Sequence, residues 1–174
     1  LKHYRQIFYY PLKTRINKLS LLNKIPKPIF KLPISKNKKN KKIAIFFDAY
    51  EEVLIGSEFK KVLLDIFKLL ERNGFIVIVK KHPVSDLSEC VKNSKKLNYI
   101  LDPYPVEFYK FDRVRVVFGL FSLSLTKITE KYPNVKVFSF LRIIKNANTP
   151  RYIKSYLNKM MKAGSICFPK NLSQ

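Results

Sequence analysis

The sequence predicts an α/β domain: a Rossmann-like parallel sheet with helices on both faces. Three observations carry that prediction. From residue 42 onward, short apolar runs rich in Val, Ile and Phe recur, each bounded by charged or turn residues, as in strands buried on both faces. Between them lie segments whose apolar residues fall at helical spacing. The two kinds alternate, and alternation is what builds β-α units around a parallel sheet.

The elements follow in order. Residues 1–41 stand apart as a basic arm or linker, without Asp or Glu and closing on a Lys/Asn run. Pro26, Pro28 and Pro33 forbid a continuous helix there, so the reading is one short basic helix around Tyr4–Leu22 and then an extended tether. "KIAIFF" (42–47) is the first strand. "SEFKKVLLDIFKLLERNG" follows as the best-marked helix: Phe59, Val62, Leu63, Ile66, Leu69 and Leu70 recur at helical spacing. Ser57 can cap its start and Gly74 stops it. "FIVIVK" (75–80), "NYIL" (98–101), "VRVVFG" (114–119) and "VKVFSF" (135–140) are the remaining strands. Helical stretches are expected at 84–94, 105–111, 122–132 and 150–163. The domain is read as 42–165, with 166–174 as a tail; no internal repeat occurs.

Bulk composition bounds the partners. The 174 residues carry 35 Lys plus Arg against 12 Asp plus Glu, a net charge of +23. That excess suits a polyanion: nucleic acid, an acidic membrane surface, or a phosphorylated or sialylated substrate. A Lys-, Asn- and Ile-rich bias from an AT-rich genome is the alternative account of part of it. Cys90 and Cys167 are too few for a disulfide framework and lack metal-site spacing, which fits a reducing, cytoplasmic setting and predicts no metal. No uninterrupted apolar run reaches the roughly 18 residues a membrane span needs. No signal peptide is visible, and the start at Leu1 suggests a piece of something longer. The arm is either a solvated connector packing on a neighbouring domain or a dock for anionic headgroups on the inner membrane face.

In open α/β sheets, ligands bind beyond the carboxyl ends of the strands, so the residues just after each strand matter most. These are Asp48-Ala49-Tyr50; Lys80-Lys81-His82-Pro83; Asp102-Pro103-Tyr104-Pro105-Val106-Glu107; and Gly119 with Ser122 and Ser124. All four clusters are expected to converge on one edge. Pro83 forces His82 out of helical angles, so the imidazole is aimed. A histidine beside two lysines suits a phosphate: the lysines supply charge, and the imidazole supplies a proton or a hydrogen bond. The plainer alternative is a histidine that turns a loop and bonds a backbone carbonyl. Gly119 through Ser124 follows a strand and opens a helix, an anion site in waiting; the plainer alternative is capping by Ser122. Glu107 either caps its own turn or takes ribose hydroxyls. GxGxxG, GxxxxGK[ST], HExxH and GxSxG motifs are all absent, so hydride transfer, P-loop hydrolysis and nucleophile-elbow chemistry find no support.

The order strand-Lys-x-His-Pro, then Pro-x-Glu, then Gly-x-x-Ser-x-Ser resembles the nucleotide-binding half of bacterial sialyltransferases. These are the lipooligosaccharide sialyltransferases of glycosyltransferase family 52 and the related capsular polysialyltransferases. The resemblance covers roughly 42–165. It implies the C-terminal half of a two-domain GT-B enzyme that binds CMP-sialic acid and transfers it with inversion to a cell-surface glycan, without metal or other cofactor. On that basis His82 is catalytic and assists the departing CMP phosphate. Lys80 lies near cytosine, Glu107 holds the ribose, Ser122 and Ser124 bind phosphate, and Pro83 and Gly119 complete the donor site. Two departures are visible. Leu123 separates two serines that the family keeps adjacent as hydroxyl residues, and the acidic motif ending in glycine, which carries the acceptor base, does not occur: Glu51-Glu52 is followed by Val53. The implied partners are therefore a nucleotide-sugar donor, a glycan acceptor and a missing N-terminal acceptor domain. Another GT-B transferase with a different nucleotide donor is the alternative. A nucleic-acid-binding module fits less well, because the lysines are spread over many elements.

Overall fold

A computed structural model describes residues 30–34, 40–48, 57–83, 85–92, 94, 97–120, 122–144, 155, 158–162, 164 and 166–172. The proposed helix around Tyr4–Leu22 lies outside them, as does the Ser57 side chain. Five strands pair in parallel in the order β3-β2-β1-β4-β5. They are β1 (Lys42–Phe47), β2 (Phe75–Lys80), β3 (Asn98–Ile100), β4 (Val114–Gly119) and β5 (Lys136–Ser139). The fold is the Rossmann-like α/β class that the sequence predicts.

The strands read as apolar runs because both faces are covered. Ala44 and Phe46 point to one side of β1, where they pack with Phe59, Leu63, Ile66 and Phe67 of α1 (Ser57–Arg72). Ile43, Ile45 and Phe47 point to the other, with Leu125 and Ile128 of α3 (Leu123–Lys131). Phe46, Phe67, Phe118 and Phe140 form an aromatic cluster, with Phe46 and Phe118 ring centres 5.3 Å apart. In α1 one expectation is corrected: Leu69 is 43% exposed, and Phe67 takes its place in the core. Gly74 ends the turn after α1 at φ 78°, a left-handed conformation that glycine adopts without strain.

Four other expectations change. The helix expected at 84–94 is reduced to the single turn α2 (Glu89–Lys92). That expected at 105–111 is a three-residue 3-10 turn, Val106–Phe108. Phe30, in the segment read as an arm, instead pairs with Tyr109, and Lys110 N–H donates to its carbonyl at 2.9 Å. Cys167, in the segment read as a tail, bridges to Phe138 on β5.

β1 and β4 approach closely where Phe47 pairs with Gly119. A Cβ at Gly119 would stand 3.2 Å from the Phe47 carbonyl oxygen and 3.4 Å from its Cβ. Overpacking of this kind costs about 1–3 kcal/mol, and the reduced freedom of the unfolded chain returns about 0.4–1 kcal/mol. Gly119→Ala is therefore expected to lower stability by about 1 kcal/mol. An unchanged urea midpoint would show that the strands can part without penalty.

Candidate functional site

The connections out of β1 and β2 run over the α1 face, and the connection out of β4 runs over the opposite one. Between β1 and β4 the chain thus leaves the sheet in two directions, and a crevice opens at the carboxyl ends. Phe47, Asp48, Lys80, Lys81, His82, Pro83, Tyr104, Pro105, Val106, Ser122 and Ser124 line an open cleft there. All four strand-end clusters contribute.

Each wall has a local cause. The strand ladder continues past β1 and β2, because Asp48 N–H donates to the Lys80 carbonyl at 3.0 Å and Lys81 N–H to Ile100 at 3.0 Å. Asp48 is only 4% exposed. Its carboxylate accepts the Ser88 N–H and the Ser88 hydroxyl, both at 2.8 Å. The loop that carries His82 and Pro83 is thus closed at its far end against β1. These bonds also explain why residues 85–88 form no helix: the Ser88 N–H is spent on Asp48, and the Val91 and Lys92 N–H groups reach back to the Ser88 carbonyl.

His82 is half-buried on the cleft wall. Burial first, and then the charges of Lys81 and Lys80, hold its pKa below the usual histidine value. Near neutrality the imidazole is therefore uncharged, with one nitrogen to donate and one to accept. Lys80 is buried to 6% exposure, and its ammonium turns toward the β3–β4 connection. It donates to the Asp102 carbonyl at 2.5 Å and the Lys81 carbonyl at 3.3 Å, and lies 3.8 Å from an Asp102 carboxylate oxygen. Asp102 also accepts the Tyr104 N–H at 3.0 Å and the Tyr109 hydroxyl. Burial, with this carboxylate second, raises the Tyr109 pKa far above the ordinary phenol range and keeps the hydroxyl a donor.

On the opposite wall Ser122 caps α3: its Oγ accepts the Ser124 N–H at 3.2 Å. The bland capping reading of Ser122 is thus correct as far as it goes. It leaves the hydroxyl proton to give outward, because a serine oxygen can accept and donate at once. Gly119 lies one step deeper, buried against Phe47 rather than on the wall. Glu107 sits within the 3-10 turn behind Val106, and its side chain lies outside the described residues. Strand-end position marked Asp48, Asp102 and Tyr104 in the sequence, but no residue pattern assigned them a role. Phe30 carried no signal at all.

No family model and no curated protein matches the sequence. Among solved structures the chain is similar to KpsC of Thermosulfurimonas dismutans, a beta Kdo 2,4 transferase. Identity is 15% and the TM-score 0.45, over 76% of this chain and 46% of that one. The likeness therefore spans less than half of that protein, and the reading of the cleft rests on its own residues. Among the described residues no helix is long and apolar enough to cross a membrane.

Proposed function

We propose that this domain binds the nucleotide end of an activated sugar, as the donor half of a GT-B glycosyltransferase. The observation that carries the reading is the meeting of Lys81, His82 and the amino end of α3 around one cleft. Each of the three suits a phosphate: the lysine by charge, the imidazole by hydrogen bond, the helix end by its outward N–H groups. CMP-sialic acid as the donor follows from the sequence resemblance, and so do inversion and a cell-surface glycan acceptor. In this scheme His82 meets the leaving phosphate, Ser122 and Ser124 hold its oxygens, and Glu107 takes the ribose. The acceptor base comes from a second domain. The basic arm leaves room for a peripheral position on the inner membrane face.

A phosphate against Lys81 and His82 changes the proton balance in a definite direction. Its negative charge opposes the two lysines and favours the imidazolium, so the His82 pKa must rise on binding. With two histidines in the chain, an NMR titration can resolve it. CMP is expected to move the His82 titration upward and to shift amides at Ser122 and Ser124, with a DNA duplex moving neither. A His82 titration unmoved by saturating CMP would remove the phosphate from this wall. Preference for UMP over CMP would shift the reading to a different nucleotide donor.

A further inference from the structure

Tyr104 is a large apolar side chain left 44% exposed, on the wall of the cleft and not on an outer face. Its surroundings are firm. The ring stacks on Phe30, with centres 5.0 Å apart and planes at 28°. Phe30 is itself pinned, its N–H donating to the Phe108 carbonyl at 3.0 Å and its carbonyl accepting from Lys110 N–H at 2.9 Å. The Tyr109 ring lies 5.3 Å from Phe30, and Tyr109 is buried. At the backbone, Tyr104 N–H is held by the Asp102 carboxylate. An aromatic side chain is thus supported from behind and from below before any ligand arrives, while part of its surface stays open to the cleft.

We infer that Tyr104 is the nucleobase platform of this cleft, the place where the ring of a bound nucleoside phosphate stacks. The inference rests on the nucleotide reading above and deepens it. The phosphate-binding groups stand on the β2 and β4 ends; Tyr104, Pro105 and Val106 stand on the connection from β3 and give the cleft an apolar side. A ligand with one anionic end and one flat, aromatic end matches that division. The Phe30 backing means that little ordering of the tyrosine is needed on binding, so more of the stacking energy appears as affinity. Stacking is tolerant of base identity, because every base presents a π-face. Tyr104 therefore contributes affinity for nucleotides in general, and the choice of cytosine falls to other groups.

The test compares CMP with ribose 5-phosphate, which keeps the phosphate and sugar but has no base, on the full chain by calorimetry or NMR titration. Tyr104→Ala is expected to weaken CMP by roughly ten-fold while leaving ribose 5-phosphate within about two-fold. Tyr104→Phe retains the face and is expected to bind CMP as the parent chain does. Phe30→Ala, which removes only the backing, is expected to fall between. Equal weakening of both ligands by Tyr104→Ala, or weakening of neither, overturns the inference while leaving the nucleotide reading in place. A parent chain that binds neither ligand overturns the nucleotide reading, and the platform with it.

Discussion

His82→Ala is expected to lower kcat of a transfer-competent enzyme carrying this domain by about 10²–10⁴-fold, the range for losing one general acid or base. Donor affinity should change far less. In the proposed complex Lys81 and the α3 end also meet the donor phosphate, so losing the imidazole is expected to remove only part of the ground-state binding. As the bond from sugar to phosphate breaks, the phosphate oxygen gains charge, and a proton or hydrogen bond from His82 counts most at that point. In the free cleft, burial and the two lysines keep the imidazole neutral near pH 7. Donor phosphate reverses the lysines' effect, so protonation follows binding instead of preceding it. The sign for the pH profile follows. Burial and the lysines hold the free-domain pKa below the usual histidine value, and a bound phosphate is expected to raise it, so kcat is expected to persist to higher pH than kcat/KM before both fall as pH rises. A variant that raises KM and spares kcat would instead make His82 a binding residue.

How far the sequence discloses this cleft depends on what kind of contact defines each part. β1, β2 and β4 were readable to the residue, because a strand buried on both faces has to be an apolar run with charged or turn residues at its ends. The convergence of strand-end residues was readable for a similar reason: parallel topology leaves one edge for all of them. What was not readable depends on partners far away in the chain. Residues 85–88 carry no signal that Asp48, some forty positions earlier, takes up the Ser88 N–H; the local pattern favours helix and the tertiary bond prevails. The 105–111 segment stops being helical where Tyr109 meets Phe30, a residue that composition assigned to a linker. Leu69 illustrates a subtler limit. Leu69 and Phe67 both lie at positions compatible with an apolar stripe, and only the direction from which the sheet packs decides between them.

Asp102 is where that long-range information matters most for stability. Asp102→Ala is expected to lower the unfolding free energy by about 2–3 kcal/mol, below the 3–5 kcal/mol typical of a fully buried broken pair. The discount has two sources: the Asp102 side chain is 35% exposed, and the Lys80 ammonium keeps its bonds to two backbone carbonyls. What remains is the loss of a counter-charge from a buried ammonium, together with the acceptor of the Tyr109 hydroxyl and of the Tyr104 N–H. Lys80→Met removes the charge itself and should be milder. The double variant Lys80→Met/Asp102→Ala should then be more stable than Asp102→Ala alone, because no stranded ammonium is left. Urea midpoints measure all three; a double variant as unstable as the sum of its parts would mean that the two residues are energetically independent. If the pair behaves as expected, methionine would serve the core at position 80 nearly as well as lysine. The charge would then be retained for the cleft that Lys80 lines, and CMP affinity should drop in Lys80→Met even though the fold does not suffer.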